Sequence, residues 1–191
     1  MIKAIIFDCF GVLTTDAWLP FKERHFGHNQ ELFDEATSLG QQANAGFISH
    51  TDFATGIARL AGISVSEVEA KIQKNIANEQ LFDYIAGLKG NYRIGMLSNA
   101  SENWLGHLFS EGQIALLDEV ALSYETGFTK PRPQAFEAIA DKLGVEIEAC
   151  VMVDDQERHY TGAREAGMQA ILYQDFDLFK QQLEVLLNQS E

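Results

Sequence analysis

Lys3-Ala4-Ile5-Ile6-Phe7-Asp8-Cys9-Phe10-Gly11-Val12-Leu13-Thr14 stands at the head of the chain and decides how the rest is read. Its apolar run is of strand length and has no polar alternation, as in a parallel strand buried on both faces. The run ends on a carboxylate, and Gly11 follows where a tight turn is needed. Taken alone, Asp8 is an ordinary turn or cap residue. Val151-Met152-Val153-Asp154-Asp155 repeats the pattern with two carboxylates, one more than the cap of a helix starting at Glu157 requires. Three carboxylates at one sheet edge repel strongly unless a cation sits among them. Oxygen ligands without His or Cys point to Mg²⁺.

Working outward, strand-length runs occur at Lys3 to Phe7, Arg93 to Leu97, Val120 to Leu122, Cys150 to Val153 and Ala170 to Tyr173. Helix-period stretches lie between them at Asn103 to Ser110, Pro133 to Leu143 and Glu157 to Ala166. A last one carries Phe176, Phe179, Leu183, Leu186 and Leu187 on one face. Alternating strand and helix predicts an α/β fold with a parallel sheet covered on both faces. Thr15 to Asp83 is the exception. It holds only helical candidates, at Pro20 to Phe26, Gln30 to Leu39, Thr51 to Leu60, Val65 to Asn75 and Glu79 to Leu88. The expected division is a core of residues 1–14 and 84–191 with a helical cap subdomain at 15–83. Ligands of open α/β sheets bind at the C-terminal strand edge, where such a cap acts as a lid. The chain is expected to bend near Thr14 to Ala17 and again near Phe82 to Gly87.

The 191 residues suffice for one solid core, and 46% hydrophobic with 22% charged residues excludes disorder. A net charge of −14 repels polyphosphate, so nucleic acid is not an expected partner. A small anion still binds such a protein through a divalent cation, a lysine or a helix N-terminus. Cys9 and Cys150 lie in apolar runs, which argues against a disulfide and for a reducing cytoplasm. Neither a signal peptide nor a membrane span is expected. The sequence sets no oligomeric state.

Two further segments carry chemistry. In Gly95-Met96-Leu97-Ser98-Asn99 a hydroxyl and the first helical amides after the second strand can hold a phosphate oxygen. In Gly127-Phe128-Thr129-Lys130-Pro131-Arg132-Pro133 a lysine precedes a Pro-primed helix start. Asp8, Ser98, Lys130 and the pair Asp154 and Asp155, in this order, closely resemble the haloacid dehalogenase superfamily. The wording of Gly162-Ala163-Arg164-Glu165-Ala166-Gly167-Met168 and, in the cap, Gly46-Phe47-Ile48-Ser49-His50-Thr51-Asp52-Phe53 resembles it too. The cap segment looks like subfamily I with a helical cap, the branch of small sugar-phosphate phosphatases and the N-terminal phosphatase domain of epoxide hydrolases.

The resemblance implies a Rossmann-like three-layer α/β/α core with the cap inserted after strand one. It implies Asp8 as nucleophile, forming an aspartyl-phosphate that water cleaves. Mg²⁺ would be held by Asp8, the main-chain carbonyl of Phe10, Asp154 and Asp155. Lys130 would offset charge, while Ser98, Asn99 and the following helix dipole would bind the phosphate of a small phosphorylated metabolite.

Two departures matter. Most family phosphatases carry an Asp two residues after the nucleophile as general acid and base, and Phe10 stands there instead, which favours substrates with good leaving groups. His159 takes a place where the family often has Asn, and is expected to hydrogen-bond a metal-ligand carboxylate. The alternatives are a catalytically weak phosphate- or Mg²⁺-binding protein, a 2-haloacid dehalogenase, or a phosphonate hydrolase using Lys22. The acidic pair argues against the dehalogenase, and the residues around Lys22 match nothing specific. In the cap, Trp18, Phe21, Lys22, His25 and His28 are candidates for the entrance, Lys22 or Arg24 for meeting a second anionic group on the substrate, and Gln42, Asn44 and Gly46 for a loop reaching the site.

Overall fold

The computed structural model describes residues 1–188. Five strands, β1 (Ala4–Phe7), β2 (Arg93–Ser98), β3 (Glu119–Leu122), β4 (Cys150–Asp154) and β5 (Gln169–Leu172), form one parallel sheet in the order β3-β2-β1-β4-β5. The helices are α1 (Trp18–Phe26), α2 (Gln30–Asn44), α3 (His50–Ala61), α4 (Val65–Ile72), α5 (Glu79–Leu88), α6 (Leu105–Leu108), α7 (Glu111–Ile114), α8 (Ser123–Thr126), α9 (Pro133–Leu143), α10 (Glu157–Glu165) and α11 (Phe176–Asn188). No described helix is long and apolar enough to cross a membrane.

Strand alternation sorts the core into two layers. Ile5, Phe7, Ile94, Met96, Val151 and Val153 pack on one face with Leu81, Phe82, Ile85 and Leu88 of α5 and Phe179 and Leu183 of α11. Ala4, Ile6, Cys150 and Met152 pack on the other with Phe136, Ile139 and Leu143 of α9 and Ala163 of α10. This is the expected α/β sandwich. A third cluster of Phe21, Phe26, Ala36, Ala43, Phe53, Ile57, Ala58 and Val68 belongs to α1 to α4 alone. Of these helices, α2 is started by the Asn29 side chain and α3 and α4 by capping boxes at Ser49 and Ser64.

The cap is joined to the core by two strands of chain that bond each other. Thr14 bridges Ala77, Thr15 N donates to Ile76 O at 3.0 Å, and Asn78 N donates to Leu13 O at 2.9 Å. The first link falls where a bend was expected. The second expected bend, near Phe82 to Gly87, is not there. Those residues lie inside α5, held to the sheet by buried Phe82 and Ile85, and the chain crosses back at 75–78 instead. Residue 83, the expected edge of the cap, thus falls mid-helix.

The helix expected over Asn103 to Ser110 is also different. Phe109 is extended, and Ser110 with Gln113 forms a capping box that starts a separate helix. Only Leu105–Leu108 remain helical before it, so the helix does not begin directly after Ser98. The intervening Asn99-Ala100-Ser101-Glu102-Asn103 follows the preference of Asn and Ser for turns and caps, Asn103 Oδ1 accepting from Leu105 N at 3.1 Å.

Candidate active site

Phe7 pairs with Val153, so the next residues, Asp8 and Asp154, emerge side by side at the C-terminal edge, with Ser98 at the end of β2. Lys130 lies between the two carboxylates, its Nζ 2.8 Å from Asp8 Oδ1 and 2.6 Å from Asp154 Oδ2. All three side chains are buried. Asn99 holds the lysine from behind. Its Oδ1 accepts from Lys130 N at 2.8 Å and its Nδ2 donates to Lys130 O at 3.0 Å. The Asn99 amide proposed for phosphate is therefore occupied with positioning the Lys130 main chain.

Asp8 Oδ1 also accepts from Cys9 N at 2.7 Å, which leaves Oδ2 without a hydrogen bond. His159, buried on α10, places Nδ1 3.0 Å from Asp154 Oδ1, as expected of a residue that orients this carboxylate. Among the described residues, two buried side-chain polar atoms have no partner, Ser98 Oγ and His159 Nε2. Unpaired buried groups are costly, so each marks a place where an external partner belongs.

The charges are tuned by this burial. Burial pushes the Asp8 carboxyl up to about 8, with Asp154 and Asp155 adding and Lys130 opposing. Burial works on Asp154 in the same sense, but Lys130 and His159 outweigh it and hold its carboxyl well below the ordinary range. Burial and Asp154 push Asp155 up to about 6. His159 is pushed down, first by burial and then by the nearby cations. Lys130 alone therefore does not keep both Asp8 and Asp154 ionised, and a second cation beside them would favour the Asp8 carboxylate.

Asp8, Asp154 and His159 bring ligand atoms within 4.8 Å of one another. Asp155 lies over Gly11, where any Cβ would strike its carboxylate, and Gly11 holds a positive φ of 87°. The hard oxygen donors fit a small divalent cation such as Mg²⁺. Phe10 is half-buried beside them, and its backbone bridges Thr14.

Above these groups lies a cavity of about 470 Å³ between core and cap. Asp8, Phe10, Asn99, Lys130, Asp155 and His159 line it from the core, and Trp18, Lys22, Asn44 and Phe53 from the cap. A larger hollow of about 630 Å³, beside β5 and α11, contains none of these residues. Of the other cap candidates, Phe21 is buried in the cap and stacks on His25 at 4.4 Å, and Arg24, His28, Gln42 and Gly46 do not line the cavity. His25 and His28 form no three-residue metal cluster among the described residues.

Sequence reasoning missed His50. It reaches from α3 to Ser101 Oγ at 3.1 Å in the core and to Glu69 Oε1 of α4 at 3.0 Å, with Trp104 edge-on at 4.8 Å. It also missed Ser123, whose hydroxyl donates to Asn44 O and so ties the end of α2 to the core. No local pattern marks either, because both partners are distant in sequence.

A family model described as haloacid dehalogenase-like hydrolase matches residues 2–167. The D-ribitol-5-phosphate phosphatase of Bacteroides thetaiotaomicron is 27% identical over 98% of this chain and 100% of that one. A phosphatase of Mycobacterium tuberculosis is 46% identical over 90% of this chain and 87% of its own. Among solved structures, a haloacid dehalogenase family enzyme of Bacteroides thetaiotaomicron in complex with magnesium and inorganic phosphate superposes with a TM-score of 0.75. It is 22% identical and covers 94% of this chain and 99% of that one, a likeness of fold.

Proposed function

The chain belongs to the haloacid dehalogenase-like hydrolase family, and from that premise we propose that it is a Mg²⁺-dependent phosphatase of small phosphorylated metabolites of the sugar-phosphate type. The observation that carries this reading is the buried Asp8, Lys130 and Asp154 cluster at the strand tips beneath the capped cavity. The phosphatases named among its relatives support it.

Asp8 Oδ2, free of hydrogen bonds, attacks phosphorus, and the bond to the leaving oxygen breaks as the aspartyl-phosphate forms. Water then cleaves that acyl phosphate and restores Asp8. Lys130, its main chain held by Asn99, places Nζ to balance charge between Asp8 and the phosphoryl group, and the orphan Ser98 Oγ meets a phosphoryl oxygen. Asp8, the Phe10 carbonyl, Asp154 and Asp155 would hold Mg²⁺, with His159 fixing Asp154. Bound there, Mg²⁺ supplies the positive charge that keeps Asp8 ionised at neutral pH and draws the phosphoryl oxygens.

Phe10 cannot protonate a leaving oxygen, so turnover favours anomeric or acyl phosphates over alkyl ones. The same residue supports a second reading, a phosphate- and Mg²⁺-binding protein of low turnover. Phosphate release from sugar, acyl, aryl and nucleotide phosphates, with Mg²⁺ and with a chelator, decides between them. The phosphatase reading requires metal-dependent release that Asp8→Asn abolishes. Silence across the panel with Mg²⁺ bound selects the second reading.

A further inference from the structure

We propose that Lys22, with Arg158 lining the same cavity, reads a second anionic group, a carboxylate or a second phosphate, on the leaving group of the substrate. The inference rests on the phosphatase reading of the cavity and names the class of substrate it takes.

Trp18, Leu19 and Lys22 share one face of α1 and line the cavity from the cap side, while Phe21 and Phe26 turn into the cap core. Lys22 is only 9% exposed. Its Nζ has three donors, and one goes to Thr37 Oγ1 at 3.1 Å, itself bonded back to Phe33 O at 2.7 Å. The ammonium sits 4.3 Å from the centroid of the Phe33 ring. A ring face attracts a cation but does not neutralise it. No described carboxylate lies within 4.0 Å of Nζ.

Buried lysines are almost always paired. In a chain with 28 acidic and 14 basic residues, an acidic partner is the easiest thing to supply, and Lys22 lacks one. Arg158 lines the same cavity from the start of α10, is exposed, and has only Gln156 Oε1 as a side-chain partner at 3.0 Å. Burial lowers the lysine's affinity for its proton, Glu23, Asp16 and Asp34 oppose this from beyond ion-pair distance, and the Arg158 charge acts with burial. Asp16 and Asp155 also line the cavity, but neither forms an ion pair with Lys22 or Arg158, so the two cations lose their mutual repulsion only when an anion binds both. The transferred phosphoryl group already has Lys130 and Ser98, so the anion that Lys22 and Arg158 await belongs to the rest of the molecule. The cavity volume leaves room for a leaving group that spans from Asp8 to the cap.

Binding of non-hydrolysable phosphonates by calorimetry in Mg²⁺ buffer tests this without any need for turnover. The probes are propylphosphonate, its carboxylate-terminated counterpart and its diphosphonate. The expected result is tighter binding of one or both anion-terminated probes by about 10- to 100-fold, the range of a hydrogen bond to a charged group. Which probe gains more assigns carboxylate or phosphate. Lys22→Met should remove most of that gain, and Arg158→Gln part of it, with propylphosphonate unchanged in both. Arg158 is exposed, so its variant decides the matter if Lys22→Met does not fold. Equal affinity for the three probes overturns the proposal, as does a Lys22→Met that weakens all three alike, which would assign Lys22 to the phosphoryl group. A preference for anionic ends without phosphate release from any ester would leave this inference standing and remove the phosphatase reading.

Discussion

A glycine inside a helix ordinarily costs stability, and replacing it with alanine returns about 0.5–1 kcal/mol. Gly162 should behave in the opposite way. It lies on α10, and a Cβ there would stand 2.6 Å from Pro131 Cβ, 2.8 Å from Pro131 O and 3.2 Å from Pro131 Cα. No rotamer change relieves this, because the obstacle is the backbone of the residue after Lys130. Overpacking costs about 1–3 kcal/mol, and an obstacle made of main chain belongs at the upper end. After helix preference is returned, the net loss is about 2 kcal/mol, or a fall of roughly 4–8 °C in Tm for a chain of this size. Gly87 on α5 is the control, since a Cβ there meets nothing within 4 Å. Gly87→Ala should raise Tm by roughly 1–4 °C. Thermal denaturation of both variants reads the stabilities. Phosphate release adds a second signal, because pushing Pro131 displaces Lys130 from Asp8 and Asp154, whereas Gly87→Ala leaves release unchanged. A Gly162→Ala protein as stable as the parent would refute the claim that this contact fixes the lysine loop.

The raised Asp8 gives the metal-free protein a definite pH dependence. Its ordinary value is 3.8 and its folded value about 8, so between about pH 7.5 and 8 the folded state binds more protons than the unfolded one and stability falls as pH rises. Nearer pH 6.5 the depressed His159 works in the opposite sense and the raised Asp155 adds to Asp8, so the upper window reports mainly Asp8. Melting curves should lose this slope with saturating Mg²⁺ or in Asp8→Asn, and parallel slopes in parent and variant would contradict the assignment. Lys130→Met leaves Asp8 and Asp154 buried without their cation and should cost about 3–5 kcal/mol in urea denaturation, with release lost; a near-normal midpoint would count against the buried pair. Phe10→Asp should raise turnover of alkyl phosphates relative to acyl phosphates, and a folded variant with an unchanged ratio would mean that leaving-group protonation does not limit the reaction.

What was legible in the sequence was whatever depends on one segment at a time. The strands fall within a residue or so of the apolar runs, because a strand buried on both faces leaves no polar position to confuse its ends. Asp8, Ser98, Lys130 and Asp154 stand out by their place at strand tips and before a Pro-primed helix, but each alone reads as an ordinary cap or surface residue, and only their order, through its resemblance to a family, makes them candidates for one site. The misjudged features depend on pairs of segments. The second crossing between core and cap is set by bonds between residues 12–15 and 76–78, and neither half shows it alone. The loop after Ser98 is bent by Asn99 reaching Lys130, 31 residues away, and so the expected helix does not begin there.

Lys22 makes the same point for function. The sequence marks Lys22 and Arg24 alike as cations able to meet a second anionic group, and only the approach of α2, with Thr37 and Phe33, encloses Lys22 and separates the two. Enclosure without an acid changes its meaning. A solvated lysine needs no partner, while an enclosed one unpaired in a chain of net charge −14 is a standing cost that an anionic ligand removes. On the proposed phosphatase reading, the core residues at the strand tips act on the bond that breaks. The cap residues, whose neighbours come from other helices, would then select the molecule admitted, and it is there that the substrate must be sought.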